Sequence, residues 1–172
     1  MRHVALIAVL LLCISCAENR LGNHVWPAQI ESMTGFDANG ESDLLASVDS
    51  LNDSAQTTVV HREGGHEGYR IVLVQSESAI YDEVTKSEKV AFATQKSDHC
   101  EILIHKSLFS ESRKKYLKSV LWHEIGHCAG KAHSENIADI MYYRARPLEL
   151  YSESSLKSFF EVVLEATGLK SG

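Results

Sequence analysis

Apolar residues follow two rhythms along this chain, one of helices and one of strands. In "SDLLASVDSLNDSA", residues 42–55, Leu44, Leu45, Val48 and Leu51 recur at helical spacing, which predicts a helix capped by Ser42. In "SESSLKSFFEVVLEATG", residues 152–168, Leu156, Phe159, Phe160, Val163 and Leu164 repeat the i, i+3, i+4 pattern. Ser152 or Ser154 can cap the start of that helix, and Gly168 can end it. Between these two lie shorter runs rich in β-branched and aromatic residues, at 57–61, 69–75, 90–95 and 101–106, with an opening strand around 26–30. "REGGHEG", 62–68, reads as the turn between the first two runs, and "TGFDANGESD", 34–43, as a turn before the first helix. No repeat or linker divides the chain, so residues 26–172 are expected to form one domain.

A further helix, "ESRKKYLKSVLWHEIGHCAG" at 111–130, carries the unusual chemistry. At the helical angle per residue, Leu117, Leu121, Glu124, Ile125 and Cys128 share one face. His123 and His127 lie together about a quarter-turn away. One stripe can pack on the sheet while the histidines face a cleft at its edge.

Composition narrows the function classes. The 172 residues are 44% hydrophobic and 23% charged, with a formal charge of −6 and no Lys/Arg run. An acidic chain without a basic stripe is not expected to bind nucleic acid. The first residues, "MRHVALIAVLLLCISCAEN", show a positive start, a short apolar run and a small-residue exit. This is the pattern of a secretory signal. "CISC" at 13–16 resembles the lipobox of bacterial lipoproteins, in which the last cysteine is lipidated and becomes the mature N-terminus. Cys13 departs from that pattern, which usually has Leu there. On this reading residues 1–15 are the signal, Cys16 carries the lipid, and 16–25 are a tether. The alternative is free secretion with cleavage after Ala17. Either route takes the protein out of the cytoplasm, to the cell envelope or beyond. Cys100 and Cys128 would then meet an oxidising compartment, where a disulfide and two buried free thiols are both open.

The stretch "HEIGHCAGKAH", 123–133, places three histidines around a helix and its exit. Histidines at i and i+4 project side by side, and both imidazoles can reach one ion. Gly130 can take the positive φ that turns the chain, which lets His133 return as a third ligand. Three nitrogens with one open position make a catalytic zinc shell, whereas a structural shell is closed by four ligands. Glu124, beside the first ligand, suits a general base acting on water at the metal.

This stretch resembles the metzincin zinc-peptidase signature H-E-x-x-H-x-x-G-x-x-H at every fixed position. The resemblance implies an α+β zincin domain: a twisted mixed, mostly parallel sheet, a zinc-binding active-site helix and a C-terminal helix. It implies one zinc ion held by His123, His127 and His133, and a Met-turn at Met141. Tyr143, two residues on, matches the tyrosine that astacins and serralysins direct towards the transition state, where matrixins usually have proline. Residues 90–95 fall where metzincins have an edge strand above the cleft. An unpaired edge can take a substrate peptide as one more strand. No His-x-Asp pattern for a structural zinc is present, so His24, His61, His66, His99 and His105 are expected to be ordinary histidines. No pro-segment of useful length is expected between the signal and Trp26.

The expected protein is therefore a secreted or lipid-anchored monomeric zinc endopeptidase, with peptides or proteins as its substrates. Its membrane contact would run only through the N-terminal lipid. The rival is a zinc-containing binding lipoprotein without catalysis, and hydrolysis of a non-peptide ester is a third reading.

Overall fold

The computed structural model describes residues 24–65, 67–82 and 87–169. Cys16, the signal and His66 lie outside the described residues. The chain runs β1 (Ala28–Thr34), α1 (Ala38–Ala55), β2 (Val60–His61), β3 (Arg70–Ser76), β4 (Ile80–Asp82), β5 (Ser87–Lys89), β6 (Ala91–Gln95), β7 (His99–His105), α2 (Leu117–Cys128) and α3 (Glu153–Thr167). Five strands form one sheet in the order β2-β1-β3-β7-β6. All neighbours in it are parallel except β6, which pairs antiparallel with β7 and forms an edge. β4 and β5 make a separate hairpin. The fold is a mixed, mostly parallel sheet with three helices.

Strand alternation decides which face is covered. Cys100, Ile102 and Ile104 of β7 are fully buried while their neighbours are only half-buried, and Ile71 and Leu73 of β3 repeat the pattern. These side chains join Leu44, Val48 and Leu51 of α1, Leu121 and Ile125 of α2, and Val163 and Leu164 of α3 in a single core. Trp122 links the helices: its Nε1–H donates to the Ser47 carbonyl at 3.0 Å, and it packs against the rings of Phe159 and Phe160. A buried indole N–H needs such a partner, and finding it on α1 ties α1 to α2.

Several boundaries differ from the sequence expectation. α1 starts at Ala38, capped by Asp37, whose carboxylate accepts from the Gly40 N–H at 2.7 Å; Ser42 lies inside the helix. Its polar first turn carries no apolar period, so the pattern hid it. α2 starts at Leu117, and short 3-10 turns occupy Lys106–Phe109 and Lys114–Tyr116 instead of a continuous helix from residue 111. The strand expected at 57–61 shrinks to β2. Just before it, the Asn52 side chain accepts from the N–H groups of Val59 and Val60 and donates to the Val60 carbonyl. The strand expected at 26–30 runs instead from Ala28 to Thr34. Among the described residues no helix is long and apolar enough to cross a membrane.

Candidate metal centre

The end of α2 is a Schellman turn. The Lys131 N–H donates to the Gly126 carbonyl at 2.9 Å and the Gly130 N–H to the His127 carbonyl at 2.8 Å, with Gly130 at φ 84°. Only glycine takes that conformation without strain. The turn sends the chain back past the helix and brings in His133. The Ser134 N–H then donates to the Met141 carbonyl at 2.9 Å, which holds the returning chain against the segment around Met141 and Tyr142.

Two imidazoles are fixed from behind by the backbone. His123 Nδ1 meets the Ile140 carbonyl at 2.7 Å, and His127 Nδ1 meets the Lys131 carbonyl at 2.6 Å. A carbonyl only accepts, so each Nδ1 carries the proton and each Nε2 presents a lone pair. The Nε2 of His127 lies 3.0 Å from that of His123 and 3.2 Å from that of His133. Lone pairs aimed at one another at this distance repel unless a cation lies between them. A tetrahedral zinc with bonds of about 2.0–2.1 Å puts its nitrogens about 3.3 Å apart, close to the spacing seen. The three residues thus fit one zinc ion. They are the only group of three candidate ligands among the described residues. Burial, followed by the neighbouring His127, pushes the His123 pKa down to about 3, and burial pushes His127 down to about 4. Both are neutral at ordinary pH, as metal ligands must be.

Glu124 is buried, and it accepts a hydrogen bond from the Ala93 backbone N–H of β6. Burial raises its pKa to about 8 without a metal ion beside it. With the histidines it lines a cleft of about 390 Å³, walled by β6 and Tyr143. Tyr143 is 52% exposed, and its ring centre lies 4.3 Å from that of Tyr142. Met141 is buried, with its sulfur directed at Gly126 of α2.

The base of the site is clamped in a way the sequence did not signal. Gln95, at the end of β6, donates from Nε2 to the carbonyls of His127 and Cys128 at 3.0 and 2.9 Å. Cys128 is bonded to Cys100, which pairs with Gln95 across the sheet. No local pattern reveals that a strand glutamine closes a helix more than thirty residues on. The other described histidines stand apart from the site. His24 stacks on Tyr69, His99 pairs with Asp98, and His105 bonds Ser107.

No family model and no curated protein matches the sequence. Among solved structures, the chain is similar to archaemetzincin from Methanopyrus kandleri, at 12% identity and a TM-score of 0.53, over 83% of this chain and 97% of that one. At that identity the likeness is one of fold: a mixed, mostly parallel sheet with three helices, similar to that of archaemetzincin.

Proposed function

We propose that this protein is an exported zinc peptidase in which His123, His127 and His133 hold the metal and Glu124 handles the proton. The observation that carries the reading is the set of converging Nε2 atoms, two of them oriented by backbone carbonyls, beside a buried carboxyl in an open cleft. The likeness to archaemetzincin supports it.

A zinc ion at these ligands supplies Lewis acidity, which lowers the pKa of a water and polarises a carbonyl. Glu124 accepts the proton that water loses as it attacks, then returns it to the departing amine. Tyr143 is given the supporting role of a hydrogen-bond donor to the carbonyl oxygen as charge builds there. β6 guides the peptide by adding it as a further strand. Ala93 already donates to Glu124, so a proline at that position would disturb the base as well as the edge. The signal-like N-terminus and the disulfide support export, with Cys16 as the lipid carrier. Mass analysis of the mature N-terminus tests that part.

Glu124→Gln tests the chemistry. Retained zinc with hydrolysis of a diverse peptide library lost supports the peptidase. Hydrolysis that survives the change removes Glu124 from the mechanism. A zinc-loaded wild-type protein that cuts nothing favours a binding protein.

A further inference from the structure

β6 is joined to α2 at two points, two residues apart. The Ala93 N–H donates to Glu124, and Gln95 donates from Nε2 to the carbonyls of His127 and Cys128 at 3.0 and 2.9 Å. A primary amide carries two protons on that nitrogen, so one side chain serves both acceptors. The last carbonyls of a helix have no donor inside it, and Cys128 is the last residue of α2. The His127 carbonyl also accepts the Gly130 N–H of the Schellman turn. Gln95 therefore holds two successive peptide planes at the point where helix passes into turn. The Cys100–Cys128 disulfide fixes where Cys128 sits, but it leaves the rotation of these planes to the hydrogen bonds.

The planes matter because the turn aims the histidines. Lys131, three residues past Cys128, offers the carbonyl that meets His127 Nδ1 at 2.6 Å, and its own N–H is tied to Gly126. His133 follows two residues later. His123 is oriented from a different segment, by the Ile140 carbonyl. We infer that Gln95 is a positioning residue for the metal, which keeps His127 aimed and His133 returned and so sets zinc affinity without touching the ion. The inference rests on the zinc reading proposed above. Ligands assembled in advance lose no affinity to ordering, whereas a turn that opens lowers affinity by the fraction of time it stays closed.

Three variants separate aim from general stability. Gln95→Met keeps the length of the side chain and removes both donors, and Gln95→Ala removes the length as well. Asn52→Ala is the control, because Asn52 makes comparable bonds to Val59 and Val60 beside β2, at the opposite edge of the sheet. The disulfide retains the end of α2 in all three, so each is expected to fold. Zinc Kd is read by competition with a chromogenic chelator. Exchange of the Gly130 and Lys131 N–H groups is read by NMR on metal-free protein, which is independent of turnover. Gln95→Met and Gln95→Ala should raise the Kd about 5- to 10-fold and speed both amides about 10-fold. Asn52→Ala should leave the Kd within about 2-fold and those amides unmoved. Wild-type zinc affinity in Gln95→Met overturns the inference alone, as does an equal loss in Asn52→Ala, which would make the effect one of general stability. A wild-type protein that takes up no zinc overturns the metal reading and this inference with it.

Discussion

Gly126 and Met141 compete for one volume behind the histidines. A Cβ added to Gly126 would lie 2.5 Å from Met141 Sδ and 3.3 Å from Phe159 Cε2. Gly126 sits on α2 between His123 and His127, and Met141 follows Ile140, whose carbonyl orients His123. Packing at this point and aim of the imidazole are therefore coupled.

Gly126→Ala sets two effects against each other. Alanine gains about 1 kcal/mol of helix propensity over glycine, and overpacking a tight core costs about 1–3 kcal/mol. Met141 is flexible but buried, with Phe159 closing the other side, so the overpacking should win by about 1 kcal/mol. Zinc affinity should fall with it. In a Met141→Ala background the same change should become stabilising, because the space is then open. Denaturant unfolding of the four proteins reads this sign change, and additive effects would mean that the two residues do not compete.

His133 is the exposed member of the proposed ligand set, whereas His123 is buried. His133→Ala should therefore leave the metal-free protein within about 0.5 kcal/mol of the wild type. Zinc at about 100 times its Kd should stabilise the wild type by about 2.7 kcal/mol, raising Tm by about 5–10 °C for a domain of this size. The variant should lose most of that rise. Thermal scans with zinc and with chelator check it, and a full rise in the variant would exclude His133 from the ligand set.

The disulfide and Gln95 clamp the same point at the end of α2. The cysteines are 28 residues apart, so replacing both by alanine should cost about 3–4 kcal/mol by loop closure. Gln95→Ala leaves the carbonyls of His127 and Cys128 without this donor and should cost less, about 1–2 kcal/mol. Equilibrium unfolding of each variant gives the order, and a larger loss for Gln95→Ala would contradict it.

The parts legible in sequence are those whose cause is local. The three histidines of the cluster lie within eleven consecutive residues, and helix geometry with one glycine brings them together. α3 was legible for the same reason, from Phe159, Phe160, Val163 and Leu164 with Ser152 as its cap. What stayed hidden depends on partners distant in the chain. Nothing around Glu124 announces the Ala93 N–H, and nothing around Gln95 announces the carbonyls of α2. The distance between Cys100 and Cys128 is set by how β7 and α2 pack, so sequence left the disulfide and the free thiols equally open. The start of α1 is not legible in sequence because Asp37 caps a first turn with no apolar residue facing the core.

The buried titrating groups give the metal-free protein a stability maximum near pH 6.5. His123 and His127 have folded pKa values of about 3 and about 4, below their unfolded value of 6.5. Between these limits the unfolded chain binds protons that the folded one refuses, so stability falls as pH drops below 6.5. Glu124 works the other way. Its folded pKa of about 8 exceeds its unfolded 4.5, so the folded state holds the extra proton and stability falls as pH rises from 4.5 to 8. Between pH 4.5 and 6.5 two histidines oppose one glutamate, and stability rises with pH at a net slope of about 1.4 kcal/mol per unit. Above 6.5 only the glutamate contributes, and about 2 kcal/mol should be lost by pH 8. Glu124→Gln removes that limb, so the variant should climb more steeply to 6.5 and then stay level. Urea unfolding of chelator-treated protein from pH 5 to pH 8 measures both curves, and an alkaline decline that persists in the variant would place its origin in another group.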